Sequence, residues 1–148
     1  MTTFPPDCSD DAIREAVVAW SQLLAQGKFA QALAMFEHTS ESFGFEWTPE
    51  RLEDWVSNYG CARADFDGGK YHKVTSLFEQ SNSRQFIQKA IKVDRENRYG
   101  LDPARYVGVV HYDDVPLDGK PSDLTARFQI KKVGADALTL EFLDIHVM

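Results

Sequence analysis

The chain has 148 residues, of which 43% are hydrophobic and 26% charged, and a formal net charge of -7 at pH 7. This length is typical of one domain with one core, and the composition excludes fibrous and intrinsically disordered proteins. The acidic balance repels nucleic-acid phosphates and anionic lipid headgroups, so we predict neither nucleic acid nor a membrane as a partner. We expect a single domain over 1–148, in which 1–8 form a flexible tail.

The start of the chain bears on localisation. Residues 1–11 lack the positively charged segment and the apolar stretch that a secretion signal combines. The longest early apolar run, Ala16–Trp20, has five residues and is too short to span a bilayer. We therefore expect a cytoplasmic protein.

Helical spacing of apolar residues dominates the first part of the chain. Ser9 or Asp10 can cap free backbone amides through a side-chain oxygen, which predicts the start of a first helix. Gly27 predicts the left-handed stop of that helix. Apolar residues resume at helical spacing over Lys28–Glu37, which predicts a shorter second helix packed against the first.

A short strand and a third helix are predicted next. Ser42–Trp47 alternates apolar and polar residues with the period of a half-buried strand. Thr48 can cap a helix and Pro49 suits its first turn, so we predict a helix that ends at Gly60. The paired glycines in Cys61–Lys70 predict a loop.

The second half of the chain changes to the period-two alternation of β-strands. Gly134 begins a hairpin turn between the last two strands. The two halves of the last strand carry apolar residues on opposite faces, which predicts a bulge near Phe142 or a strand covered on both sides. The predicted strands are 71–79, 85–93, 105–113, 122–132 and 137–147.

The order of these elements is two helices, a short strand, a capped third helix and a run of antiparallel strands. It resembles the cystatin-like cone of the nuclear transport factor 2-like superfamily, which includes steroid isomerase-like and polyketide cyclase-like enzymes. The resemblance implies an α+β fold, with N-terminal helices packed on a curved, mostly antiparallel sheet that leaves a pocket at its open end. Tyr112–Thr125 and Leu143–Met148 also look like a small bacterial family of unknown activity, which carries over no chemistry.

Two pairs of histidine and aspartate are the candidate catalytic residues. His111 and Asp113 lie two residues apart on one predicted strand and therefore share a face of it. Asp144 and His146 do the same on the last strand. If the two strands are neighbours, a carboxylate would orient an imidazole as a general base. The four side chains are also a ligand set for a divalent metal, but the sequence has no zinc or phosphate-binding motif and we predict neither metal nor cofactor.

Structural roles compete with this chemistry. His111 continues the apolar face of Val109, and His146 continues that of Phe142, so each would be a hydrogen-bonded histidine at the edge of the core. Large aromatic residues at helical spacing could line a cavity but are more typical of a core. They are Trp20, Phe36, Phe43, Phe45, Trp47, Trp55 and Tyr59.

These features lead to three hypotheses. The first, favoured by the net charge of -7 and the missing catalytic motif, is a non-catalytic module that binds a basic protein, as immunity proteins do, or a small apolar ligand. The second is a pocket enzyme of the isomerase, cyclase or dehydratase type, with one of the two histidines as a base oriented by its aspartate. The third is a homodimer through a polar row on the exposed sheet face. This row consists of Thr125, Arg127, Gln129 and Lys131.

Overall fold

The computed structural model of the chain describes residues 1–38, 46–59 and 71–147. The helices of these residues are α1 (Asp10–Ala25), α2 (Phe29–Met35), α3 (Pro49–Ser57) and α4 (Ser83–Ala90), with a short 3₁₀ helix at Leu77–Glu79. The strands are β1 (Glu37–His38), β2 (Ile91–Asp94), β3 (Tyr106–Tyr112), β4 (Leu124–Val133) and β5 (Ala137–Val147).

The five strands form one open sheet in the order β1-β5-β4-β3-β2. β1 runs parallel to β5, and every other neighbouring pair is antiparallel. The predicted fold class is confirmed, since the helices belong mainly to the first half of the chain and a mostly antiparallel sheet to the second.

The predicted helix caps are confirmed. The Ser9 side chain accepts a hydrogen bond from the backbone of α1 at 3.1 Å, and Gly27 has the left-handed φ of 73° that ends this helix. The Thr48 side chain, directly before Pro49, accepts a hydrogen bond of 3.2 Å from the backbone amide of Arg51 and so caps α3. None of the described helices combines the length and the apolar character that a membrane span needs.

Part of the predicted secondary structure lies outside the described residues. Of the strand predicted over Ser42–Trp47, only Glu46 and Trp47 are described, and neither belongs to a strand. The loop predicted over Cys61–Lys70 and the helix end predicted at Gly60 also lie outside them. The last residue of α3 is Ser57.

Two strand predictions are wrong. Over 71–79 the chain makes one isolated bridge, between Val74 and Leu117, and then the 3₁₀ helix. Over 85–93 it forms α4 and only then the four-residue strand β2. Ala90 and the partly buried Phe86 and Ile87 pack on the core at helical spacing, so burial overrides the weak alternation of this segment.

The last three strands follow the prediction closely. β5 has the predicted bounds, and a three-residue turn that starts at Gly134 joins it to β4. The predicted irregularity in β5 is confirmed, because Arg127 pairs with Asp144 while Phe128 pairs with Phe142. The extra residue between these pairs makes a β-bulge.

The N-terminal segment differs from the flexible tail expected over 1–8. Phe4 is 7% exposed and exchanges two backbone hydrogen bonds of 2.8 Å with Leu138 of β5. The backbone carbonyl of Thr2 also accepts a hydrogen bond of 2.6 Å from the hydroxyl group of Thr139. The segment therefore covers part of the sheet edge and attaches there by the usual backbone pairing of strands.

An aromatic cluster fills the space between α1 and the sheet. Trp20 of α1 lies with its ring centroid 5.1 Å from that of Phe128 and 5.3 Å from that of Phe142. Phe36 adds a further edge-to-face contact with Phe128 at 5.7 Å. These side chains are at most 4% exposed, so they belong to the core and do not line an open cavity.

Candidate functional site

The bulge in β5 decides where the second candidate pair lies. We call the face of β3, β4 and β5 that points away from α1 the outer face. Before the bulge Phe142 points into the core, and after it Ile145 does, because Leu143 is the extra residue. Asp144 and His146 therefore lie on the outer face. The prediction that His146 continues the face of Phe142 is wrong for this reason.

Asp144 is engaged in a buried ion pair. Its side chain is 1% exposed and accepts two hydrogen bonds from the guanidinium group of Arg127, one of them 2.8 Å long from Nε. His146 Nδ1 lies 3.1 Å from Asp144 Oδ1, so the predicted pair is formed. The hydrogen bond to Asp144 raises the pKa of Arg127, which keeps the guanidinium group charged. Arg127 thus neutralises the carboxylate that would orient the imidazole.

The first candidate pair is not joined. Asp113 accepts hydrogen bonds from Lys92 Nζ at 2.8 Å and from the hydroxyl group of Thr125 at 3.0 Å. Within the described part of the chain, no hydrogen bond links Asp113 to His111. The His111 ring instead makes an edge contact with the ring of Tyr99, with 5.9 Å between their centroids. The hydrogen bond and charge of Asp113 raise the pKa of Lys92.

The two histidines lie in separate surroundings on the outer face. β4 lies between the strands that carry them, so the two backbones are about 10 Å apart. His111 is opposite Arg127 of β4, whereas His146 is opposite Thr125. The condition that the two strands are neighbours is not met. The geometry therefore does not support one acid–base centre shared by both histidines.

A small pocket adjoins His111 on the outer face. It has a volume of about 100 Å³ and is lined in part by Tyr99, His111 and Arg127. This space holds roughly three water molecules, which is well below the size of a typical substrate pocket. Among the residues that the structure describes, no three His, Cys, Asp or Glu side chains are grouped to hold a metal ion.

A third pair of histidine and aspartate lies elsewhere and has no sequence signal. His72 Nδ1 is 2.7 Å from Asp118 Oδ2, although the residues are 46 positions apart. The amide of Lys73 donates to the other carboxylate oxygen at 3.1 Å. Burial opposes ionisation of Asp118, but the hydrogen bonds from His72 and Lys73 outweigh it and lower its pKa. Asp118 is not one of the candidate residues that the sequence predicts.

Beside this pair lies a cleft of about 290 Å³, which we call the α1–α3 cleft. Its walls are the end of α1 with residues 26 and 27, the α3 side chains Glu53 and Ser57, and the segment Tyr71–Val74. The hydroxyl group of Tyr71 donates to Glu53 Oε1 at 2.8 Å, while 59% of Tyr71 remains exposed. The cleft thus combines a carboxylate with an accessible aromatic ring.

Comparisons with protein-family models, with curated proteins and with solved structures find no match to this chain. The candidate residues are therefore assigned from geometry alone. Two of them were not candidates on the sequence. On the sequence Arg127 was named only as part of the polar row, because its role depends on the register between β4 and β5. His72 depends on a long-range contact with Asp118.

Proposed function

We propose that the protein is a non-catalytic binding module that recognises a basic protein partner. The candidate catalytic carboxylates are already neutralised within the chain, Asp144 by Arg127 and Asp113 by Lys92. A general base needs a substrate within hydrogen-bond reach, and the pocket beside His111 has room for only a few water molecules. These features favour recognition at the surface over chemistry in a pocket.

Other carboxylates are free to meet a partner. Asp54 on α3, and Asp114 and Asp123 on the loop before β4, are exposed, and none of them takes part in an ion pair within the described residues. The amide of Asp123 donates to the hydroxyl group of Tyr59 at 3.1 Å, which joins this loop to the end of α3. We call these three carboxylates the acidic surface.

The proposal depends on this contrast between paired and unpaired carboxylates. Unpaired surface charge contributes little to folding, but it speeds the encounter with a partner of opposite charge and selects against partners of like charge. The net charge of -7 extends the same attraction over the whole molecule. A basic protein is the partner that this charge distribution suits.

The test is to isolate the partner at low salt and to measure its affinity against two triple variants. The triple variant Asp54→Asn, Asp114→Asn and Asp123→Asn should weaken binding by tenfold or more, because each lost charge removes an attraction on the order of 1 kcal/mol at short range in water. The matched control is Asp7→Asn, Glu79→Gln and Asp136→Asn, which changes the net charge equally at other exposed positions.

Both triple variants should keep the circular dichroism spectrum of the parent protein, because all six side chains are exposed. The control should bind within about twofold of the parent, and all affinities should fall as salt is added. If both variants weaken binding equally, the partner responds to the net charge of the protein and not to the position of the acidic surface. Retention of no basic protein at low salt would refute the proposal.

A further inference from the structure

Two helices end at the α1–α3 cleft, and both ends are negative. Residues 24–27 at the end of α1 line it, as does Ser57, the last residue of α3. The C-terminal end of a helix carries a partial negative charge, which lysine or arginine in the last turn commonly offsets. Neither α1 nor α3 has a basic residue in its last turn. These two ends attract a cation, against the positive end of α2 at Phe29, which also lines the cleft.

A carboxylate and an aromatic ring on the walls favour a cation more directly. Glu53 contributes a carboxylate and Tyr71 the face of an exposed ring, and their hydrogen bond of 2.8 Å holds the two groups beside each other. A carboxylate next to an aromatic face is the usual setting for a guanidinium group, which pairs with the first and stacks on the second. Asp118 adds a further negative charge behind His72.

Ser57 contributes a hydroxyl group to the wall of the cleft. Ser57 is only 3% exposed and lines the cleft, yet its hydroxyl group makes no hydrogen bond within the described residues. Its oxygen is not among the fully buried side-chain atoms that lack a partner within the described residues, so it is accessible and can accept a hydrogen bond from a group in the cleft. A hydroxyl oxygen accepts readily from a cationic N–H donor.

We infer that the α1–α3 cleft binds the guanidinium group of an arginine side chain that the basic partner presents, with Glu53, Tyr71 and Ser57 as its contacts. This inference rests on the proposed function. The cleft volume of about 290 Å³ suits one long side chain rather than a folded segment. The planar, many-donor guanidinium group suits this combination of ring, carboxylate and hydroxyl better than a compact ammonium group does.

The lining contains one opposing charge, and it supplies a further test. Lys73 lies on the wall of the cleft and is exposed. Its ammonium group repels a cation, and replacement by glutamine removes that repulsion without shortening the apolar part of the side chain greatly. We expect Lys73→Gln to bind the arginine probe more tightly than the parent protein, by about twofold to fivefold.

The experiment is an NMR titration of the isotope-labelled protein with N-acetylarginine amide, with N-acetylcitrulline amide as the neutral isostere. A ligand of this size should bind with a dissociation constant on the order of a millimolar. The backbone amide signals of Gly27, Ser57 and Tyr71 should shift with arginine and not with citrulline. Glu53→Gln should weaken binding about fivefold, the effect of one charge pair in water.

The matched control is Glu50→Gln, which removes a charge from the same helix at an exposed position that does not line the cleft. It should leave the affinity for the arginine probe unchanged. Equal effects of the two α3 variants, equal binding of citrulline, or signal shifts away from the cleft would overturn the inference.

If the partner binds and depends on the acidic surface but not on Glu53, the cleft inference fails while the proposed function stands. If the arginine probe binds in the cleft but no basic protein is retained, the proposed function fails, and with it the partner as the source of the arginine.

Discussion

Asp118 and Asp144 both lie beside a histidine, but their surroundings differ. Asp144 is buried and held by the two-pronged contact with Arg127, so its charge is part of the sheet structure. Asp118 lies at the surface, with a side chain that is 52% exposed, and has hydrogen bonds from His72 and from the backbone of Lys73. Asp118 is therefore the carboxylate whose titration can be followed without loss of the fold.

The hydrogen bonds to Asp118 predict a loss of stability in acid. Its pKa is lowered from 3.8 on folding, so the stabilisation is complete above that value and is lost as the pH falls through the lower pKa of the folded state. We expect Asp118→Asn to reduce the free energy of unfolding by up to about 1 kcal/mol near pH 5. This difference should shrink as the pH falls below 3.8 and disappear once the carboxyl group is protonated in the folded state as well.

Urea unfolding of the parent protein and the Asp118→Asn variant across this range measures the effect. Asparagine tolerates the left-handed φ of 53° at this position, so the backbone should be preserved. Asp136→Asn in the β4–β5 turn is the control, because Asp136 is exposed and has no described side-chain hydrogen bond. A difference that stays constant with pH would contradict the role assigned to Asp118.

At the scale of the elements, two irregularities shape the sheet. The β5 bulge turns Asp144 and His146 outwards, as described above. The second is a register shift between Tyr106 and Gly108 in β3. A Cβ atom on Gly108 would lie 2.5 Å from the backbone oxygen of Asp94 and 3.1 Å from Ile130 Cδ1. Only glycine lets the loop after β2 approach β3 so closely.

We therefore expect Gly108→Ala to destabilise the protein by about 2 kcal/mol or more, because the clash is with backbone and with a core side chain. Gly134→Ala is the control, since its Cβ would meet open space and only the left-handed φ of 63° costs energy, about 1 kcal/mol. Hydrogen exchange should show that the backbone amides of β2 lose protection in Gly108→Ala and keep it in Gly134→Ala. Equal protection of β2 in both variants would show that the close approach is not needed.

At the scale of the whole molecule, one core joins the helices to the sheet. Phe128 of β4 makes ring contacts with Trp20 of α1, with Phe36 after α2 and with Phe142 of β5. Because these elements share a single set of buried side chains, neither layer has an apolar interior of its own. The helices and the sheet should therefore unfold together, as the prediction of a single domain requires.

Phe128→Ala should lower the free energy of unfolding by about 4 kcal/mol, because it opens a cavity at the centre of this cluster. Tryptophan fluorescence and far-ultraviolet circular dichroism should report the same transition. Phe78→Ala is the control, since Phe78 is 59% exposed, and it should change stability by less than about 0.5 kcal/mol. Two separate transitions in either protein would argue against a single cooperative core.

Much of the architecture could be predicted from local patterns. The caps at Ser9 and Thr48 and the bounds of β5 were readable because each depends on residues close together in the chain. The strands predicted over 71–79 and 85–93 failed because their short apolar patterns suit a helix and a strand almost equally. Burial against the core then decided between the two conformations.

The fold class, the capped helices, the last hairpin and the negative net charge can be read from the chain alone, because periodicity, turn residues and charge are local or additive properties. Three features of the site cannot be read in this way: β4 separates His111 from His146, Arg127 neutralises Asp144, and His72 meets Asp118 across 46 positions. These outcomes depend on strand order, on a one-residue bulge and on long-range packing. Each is set by the cooperative burial of the whole chain.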